Sequence, residues 1–315
     1  MAIPPALQQG LKLPVIAAPM FLVSGPELVI AACKSGVVGT FPALNQRTTE
    51  GYSEWLDEIK GALGPEDAQY GVNIIVHPTN PRVMADMQVT VDHKVPLVIT
   101  SLGAVRDVVD AVHGYGGLVF HDVTTVRHAV KAAEAGVDGL ILVCAGAGGH
   151  AGAWSPFALL NEVRKFYDGC IILSGVMSTG RDIATAMMLG ADFAYLGTRF
   201  INTTESRAPD EYKVMIQEAK AADIVYTPAI SGIPANFMAQ SLIANGLDPK
   251  SLPAKTKVDL GKELDHEVKA WKQVWSAGQG VGAIEDVLPT AELVARLKQE
   301  FDEAGRDYSR RWVAA

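Results

Sequence analysis

The stretch Val143-Cys144-Ala145-Gly146-Ala147-Gly148-Gly149-His150-Ala151-Gly152 brings together the ingredients of a reaction site. The apolar run Gly139–Val143 that leads into it reads as a buried strand. The glycines after it let backbone approach a flat or charged ligand where a Cβ would clash. His150 is the one group there that exchanges a proton near neutral pH. The chemistry these residues could perform is proton abstraction at His150 beside a cofactor laid against the glycines. A tight turn with a surface imidazole accounts for the same ten letters equally well. The elements that position the stretch must therefore decide.

Those elements alternate. Short β-branched runs are each followed by a segment of helical period: Leu13–Ala17 with Pro26–Ser35, Val37–Phe41 with Thr49–Ala62, and Tyr70–Val76 with Pro81–Val91. Leu97–Ser101 with Val105–His113, Gly117–His121 with Thr124–Ala135, Gly139–Val143 with Ser155–Phe166, and Cys170–Ser174 with Arg181–Leu189 continue the rhythm. Phe193–Leu196 is the eighth strand. Gly at the helix ends, as in Ser35-Gly36 and Leu189-Gly190, is the expected left-handed stop. Parallel neighbours need crossovers, and continuous apolar strands imply cover on both faces. Eight such units predict an α/β fold, a (β/α)8 TIM barrel. A doubly wound open sheet is the alternative, but the first strand–helix join, Ala17-Ala18-Pro19-Met20-Phe21, lacks its Gly-x-Gly-x-x-Gly turn.

After the eighth strand the rhythm breaks. Asp210–Ala221, Ala235–Asn245 and Glu263–Ser276 read as helices between Pro- and Gly-rich joins. Helical period returns over Pro289–Gly305, where Leu293, Val294, Leu297 and Phe301 share a face. We expect a barrel from 1–202 and 283–315, with a helical lid at 203–282 inserted between strand 8 and helix 8.

The chain has 315 residues, 49% hydrophobic and 20% charged, as expected of a soluble globular protein. Its net charge of −8 and lack of a basic run argue against nucleic acid as a partner. No apolar run reaches the ~18 residues of a membrane-spanning helix, and no signal peptide is evident. The 3 cysteines, Cys33, Cys144 and Cys170, share no metal-ligand or redox spacing. These features point to a cytoplasmic protein without a metal site.

In a barrel the ligand lies at the carboxyl ends of the strands. Here those ends carry Ala18-Pro19-Met20, Asn73 to His77, Thr100-Ser101, His121-Asp122, the Gly–His stretch, Ser174-Gly175-Val176 and Gly197-Thr198-Arg199. The last two, with Met177-Ser178-Thr179-Gly180 opening a helix, suggest a phosphate cradle of backbone N–H groups, hydroxyls and a helix N-terminus. His77 and His121 lie near strand ends, but read more readily as structural hydrogen bonders. Tyr226, Phe237 and Trp275 read as lid packing.

Pro14–Met20, Tyr70-Gly71-Val72-Asn73, Ala147–Gly152, Ser174-Gly175 and Gly190-Ala191-Asp192 through Gly197-Thr198-Arg199-Phe200 resemble the nitronate monooxygenase family, once called 2-nitropropane dioxygenases. Ile230–Asn236, Gly278–Ala283 and Pro289–Leu293 extend the resemblance into the tail. It implies a barrel flavoprotein that holds FMN without covalent attachment, in a family that also includes NAD(P)H-dependent quinone and enoyl-thioester reductases. On that resemblance Ala18, Pro19 and Met20 would lie along the flavin ring, and Asn73 would bond its polar edge. Ala147, Gly148 and Gly149 would let backbone approach the cofactor. Ser174, Gly175, Val176, Gly197 and Thr198 would hold its phosphate, and His150 would act as the catalytic base or substrate anchor.

Two positions depart from the family's pattern. Gly146 stands where a Glu is often found, and Asp122 where some members carry a Lys. Asp122 is expected near the flavin, where its carboxylate disfavours an anionic reduced ring unless Arg127 neutralises it or it points away. The implied activity is oxidation of an alkyl nitronate with O2 to a carbonyl compound and nitrite. The alternative is NAD(P)H-dependent reduction of an enoyl thioester or quinone. A third, from another class, is a barrel that binds a phosphorylated ligand without redox chemistry. The partners are a small-molecule substrate and O2, with self-association into a homo-oligomer left open.

Overall fold

Apolar strands that expose two hydrogen-bonding edges each are stable side by side, and eight of them can close on themselves so that no edge remains. The computed structural model describes residues 2–103, 106–252 and 274–313. Its barrel strands are β1 (Val15–Ala17), β2 (Val38–Pro42), β3 (Tyr70–Ile75), β4 (Leu97–Ser101), β5 (Leu118–Val123) and β6 (Gly139–Val143). A short strand outside the barrel, β7 (Gly149–His150), comes next, followed by β8 (Cys170–Ser174) and β9 (Phe193–Leu196). All barrel pairings are parallel, and β9 returns to β1 through Val15↔Ala194, Ile16↔Tyr195 and Ala17↔Leu196. The fold is a TIM barrel, as the alternation predicts.

The surrounding helices are α1 (Pro5–Gln8), α2 (Pro26–Ser35), α3 (Thr49–Ala62), α4 (Val83–Asp92), α5 (Arg106–His113), α6 (Val126–Glu134), α7 (Pro156–Val163) and α8 (Gly180–Leu189). Gly36 (φ 94°) and Gly190 (φ 106°) stop α2 and α8 in the left-handed conformation, as their position suggests. Strand parity divides the core. Phe120, Ile141, Ile172 and Phe193 fill the barrel interior, while Val119, Leu140 and Ile171 face the helices. The backbone N–H of Ala2 donates to Asp192 just before β9, so α1 lies at the amino ends of the strands and adds Leu7 to the interior cluster.

Past the barrel come α9 (Thr198–Ile201), α10 (Asp210–Glu218), β10 (Ile224–Thr227), β11 (Ala235–Met238), α11 (Ala239–Ala244) and finally α12 (Thr290–Tyr308). α12 packs between α8 and α2, and its Leu293, Val294 and Leu297 are buried with Leu28, Ala32 and Ile183. It is the postponed eighth barrel helix.

The intervening segment is not wholly helical. Ala235–Asn245, expected as one helix, divides into β11 and α11. β11 pairs antiparallel with β10 on one edge and with β7 on the other. With both its edges hydrogen-bonded, the helical preference of Ala and Met is overridden. Of the expected helix Glu263–Ser276, residues 263–273 lie outside the described residues, and 274–276 are not helical. Several ends shorten by two or three residues: the first strand begins at Val15, α4 at Val83 and α6 at Val126, while α7 ends at Val163 and α10 at Glu218.

Among the described residues no helix is long and apolar enough to cross a membrane, and no cluster of acidic, His and Cys side chains could hold a metal. The three cysteines are buried and free.

The contact that seats α12 is unusually close. A Cβ on Gly180 would stand 2.1 Å from the Leu297 carbonyl oxygen and 2.5 Å from the Phe301 nitrogen. Gly180→Ala is therefore expected to push α12 off α8 and destabilise the fold by about 1–3 kcal/mol. The denaturant midpoint checks this, and an unchanged midpoint would contradict the packing described.

Candidate cofactor and active site

The inward parity that buries Phe120 and Phe193 also points the next inward residues, Asp122 and Tyr195, at the carboxyl mouth of the barrel. Asn73, Ser101 and Asp122 lie side by side there on β3, β4 and β5. The Asn73 amide nitrogen donates to the Ile99 carbonyl (3.2 Å) and to Ser101 Oγ (2.8 Å). Ser101 Oγ in turn donates to Asp122 Oδ2 (2.5 Å). Asp122 Oδ1 is buried and has no hydrogen-bond partner among the described residues. Burial pushes the Asp122 carboxyl up to about 6, against the lowering effect of the Ser101 bond. No ion pair joins Asp122 to Arg127 among the described residues, so the charge is relieved neither by that cation nor by turning outward. His121, one residue earlier, has the opposite parity and bonds Thr100 Oγ1 at 2.7 Å. His77 bonds Thr79 Oγ1 at 2.9 Å, and neither histidine is among the residues that line the cavity.

The Gly–His stretch forms the wall above this floor. Gly146 (φ 81°) and Gly149 (φ 66°) turn the chain out of β6. β7 is then held by β11, with His150 opposite Ala235 and Gly149 opposite Asn236. Asn236 is buried, and its Nδ2 donates to the Ala147 carbonyl at 2.7 Å. Ala151 N donates to the Pro234 carbonyl and Tyr226 Oη to the Ala151 carbonyl, both at 3.1 Å. Strand pairing and a side-chain clamp thus fix the segment that carries His150. The imidazole borders the cavity, and burial lowers its pKa to about 4, which leaves it neutral at physiological pH.

Returning chain closes the wall from outside. Gln279 N donates to the Gly146 carbonyl and Gly278 N to Thr198 Oγ1, each at 2.9 Å. A Cβ on Gly148 would meet Gly278 N at 2.9 Å, and one on Gly146 would meet Val176 Cγ2 at 2.4 Å. The glycine in place of an acidic residue at 146 is therefore required by packing as well as by its positive φ.

The first strand's loop is set by Asn45. Its amide donates to the Met20 (3.0 Å) and Ser24 (2.7 Å) carbonyls, while its Oδ1 accepts from Leu22 N (2.8 Å). Leu22, Leu102 and Val176 all have φ near +60°, and the latter two border the cavity. Left-handed backbone is costly for such side chains, most of all for a β-branched one, and clusters at functional sites.

The residues that the family resemblance assigned to the cofactor and to catalysis, together with Asp122, surround one cavity: Ala18, Pro19 and Met20, Asn73, Asp122, Ala147 to His150, Ser174 to Val176, and Gly197 with Thr198. Reading by strand ends left Tyr195 and the role of Ser101 unnoticed; counting two residues on from the inward Phe193 and Ile99 would have found both. Tyr212 and Trp275, stacked at 4.9 Å with 9° between their planes, complete the outer wall. Of the three lid aromatics named from sequence, Trp275 borders the cavity, Phe237 is fully buried in the insertion, and Tyr226 is half exposed.

The phosphate cradle needs one correction. The N-terminus of α8 is already occupied: Ser178 N and Thr179 N donate to Asp182 Oδ2 at 2.9 Å, and Gly180 N donates to Glu300 Oε2 at 2.6 Å. Its dipole and donors are satisfied by the protein's own carboxylates. No Lys or Arg borders the cavity among the described residues. An anion here would meet the neutral donors of the turns at Ser174–Val176 and Gly197–Thr198.

The cavity thus joins a hydrogen-bonding floor, glycine walls that a Cβ would fill, and apolar flanks at Ala18, Pro19 and Met20. These features suit a flat ring with one polar edge and an anionic tail.

Comparison with known proteins agrees with this geometry. The family model described as nitronate monooxygenase matches residues 41–300. The nitronate monooxygenase of Paraburkholderia phytofirmans is 28% identical over 94% of this chain and 94% of its own. An octahydro-1H-indene-4-carboxyl-CoA dehydrogenase of Rhodococcus jostii is 26% identical over 74% of this chain and 65% of its own. The crystal structure of nitroalkane oxidase from Streptomyces ansochromogenes is 26% identical and superposes with a TM-score of 0.81, over 96% of this chain and 100% of that one. With the family model spanning most of the barrel and the insertion, the chain belongs to the nitronate monooxygenase family of oxidoreductases.

Proposed function

We propose that this chain is an FMN-dependent oxidoreductase that oxidises alkyl nitronates with O2 to a carbonyl compound and nitrite. The observation that carries the reading is an imidazole, His150, held by β7–β11 pairing at the wall of a glycine-lined cavity. Bound there, FMN would take up the substrate's electrons and pass them to O2. Ala18, Pro19 and Met20 would flank its ring and Asn73 its polar edge, with Ala147, Gly148 and Gly149 allowing close backbone approach. Ser174, Gly175, Val176, Gly197 and Thr198 would hold the phosphate through backbone N–H groups and hydroxyls. The insertion at 203–282 would act as the cover that excludes water, with Tyr212 and Trp275 as its inner face.

His150 has two tasks in this scheme. A neutral nitroalkane must lose its α-proton, and an imidazole kept uncharged by burial is in the proton-accepting form. As the proton transfers, the nitronate's charge forms beside the new imidazolium and stabilises it. A nitronate arrives as an anion, and there His150 orients it by hydrogen bonding.

A second reading, NAD(P)H-dependent reduction of an enoyl thioester or quinone in the same pocket, is supported by the Rhodococcus relative, whose name is that of a CoA-thioester enzyme. The two readings separate in an anaerobic experiment on the FMN-loaded protein. Bleaching of the visible flavin band by an alkyl nitronate, with recovery on admitting air, is expected. A band that ignores nitronate but bleaches with NAD(P)H and recovers with an enoyl thioester or quinone would favour the second.

His150→Asn is expected to keep FMN while turnover of neutral nitroalkanes falls about 10²–10⁴-fold, with a smaller loss on nitronates. Unchanged nitroalkane turnover would remove the base from the scheme. The pH profile gives a second test. A base is active above its pKa, so the limb of kcat/KM that depends on His150 should stay flat from pH 8 to about 5 and fall only as pH nears 4. A His150-dependent fall centred near 6.5 would show that burial does not suppress the imidazole.

A further inference from the structure

The polar floor contains a carboxyl that neither the barrel nor the scheme above uses. Asp122 sits at the end of a hydrogen-bond chain with a defined direction. The Asn73 amide is oriented by the Ile99 carbonyl, which can only accept, so its nitrogen faces Ser101 Oγ. Ser101 therefore receives a hydrogen from Asn73 and points its own at Asp122 Oδ2. Oδ2 is committed as an acceptor. Oδ1 is buried, without a partner among the described residues, in a residue that borders the cavity. A buried carboxylate oxygen in that state is unfavourable unless a ligand donates to it or a proton binds it.

The surroundings favour the proton. β6 offers Asp122 only Ile141 and Val143, and β4 and β3 offer Ser101 and Asn73, none of them charged. Across the mouth stands the Tyr195 phenol on β9, which burial holds un-ionised, and at the wall the neutral His150. No described Lys or Arg borders the cavity to stabilise the carboxylate. An FMN phosphate would add negative charge to the cavity, where burial, against the lowering effect of the Ser101 bond, already raises the Asp122 carboxyl to about 6.

We propose that Asp122 is a cofactor-binding residue that takes a proton from water onto Oδ1 when FMN binds, and donates it as a hydrogen bond to an acceptor on the ring's polar edge. The inference rests on the FMN reading above. Ser101 acts as the positioning residue, keeping Oδ2 as acceptor so that the proton resides on Oδ1. The neutral acid then does by hydrogen bonding what a cation would do by charge, and the ionised carboxylate would repel an electron-rich ring edge.

The test is calorimetric and needs no turnover. FMN is titrated into the apoprotein at pH 7 in buffers of different ionisation enthalpy, which reports protons taken up per FMN. The wild type is expected to take up about half a proton or more beyond Asp122→Asn, so that the ratio of their Kd values changes about threefold per pH unit. The phosphate's own titration is common to both proteins and cancels. In Ser101→Ala the donor to Oδ2 is lost and Asp122 protonates more readily in the empty site. Uptake at pH 7 should shrink and its maximum move to higher pH, a result that does not require Asp122→Asn to fold. Equal uptake in wild type and Asp122→Asn, or a Ser101→Ala profile unchanged with pH, would overturn the proposal while leaving FMN binding intact. Failure of the wild type to bind FMN would overturn both readings.

Discussion

His150 is placed by a pairing between two segments that are far apart in sequence. Residues 149 and 150 extend the small sheet formed by β10 and β11, and Asn236 clamps the Ala147 carbonyl beside them. A two-residue strand has no stability of its own. It exists because β11 is anchored by Phe237 and Met238, both fully buried in the insertion. The barrel therefore supplies the floor of the site, and the insertion supplies the geometry of its wall. Tyr212 stacked on Trp275, and Gly278 bonded to Thr198, extend the same dependence around the rim.

The electrostatics of the cavity follow from which groups are already satisfied. The most obvious anion site, the start of α8, is filled by Asp182 and Glu300. What remains is a set of neutral donors, the phenols of Tyr195 and Tyr212, and two side chains, Asp122 and His150, that burial pushes toward their uncharged forms from opposite directions. Fixed dipoles in a dry pocket stabilise charge only where they point. Such a site depends on orientation more than on net charge, which is why its supporting hydrogen bonds, from Asn45 to the Met20 loop and from Asn73 through Ser101, are so complete.

The sequence made the barrel readable because parallel strands covered on both faces are unbroken apolar runs, and because Gly36 and Gly190 mark helix ends by their backbone conformation. The strand-end rule then drew together residues from Ala18 to Thr198 that turn out to share one cavity. The insertion was legible only as an interruption. Nothing local in Ala235-Asn236-Phe237-Met238 announces a strand, since its partners are Ile224–Thr227 and Gly149–His150. The spent N-terminus of α8 was half legible: Thr179 and Asp182 form a local capping box, whereas the third carboxylate contact, from Glu300, comes from α12. The link from Ser101 to Asp122 needed only strand parity, which the reading by strand ends did not apply.

The displacement of the eighth helix also bears on how the molecule is made. A chain emerging in order from a ribosome presents all eight barrel strands once Leu196 has appeared, yet the groove between α8 and α2 stays uncovered until Thr290–Tyr308 follows. Through that interval Ile183, Leu28 and Ala32, later sealed by Leu293 and Leu297, face water. Late-arriving, sequence-distant contacts of this kind slow folding and prolong the exposure of apolar surface. The insertion that shapes the active site thus lengthens the window in which the nascent barrel is sticky, and links the timing of its maturation to the architecture of its wall.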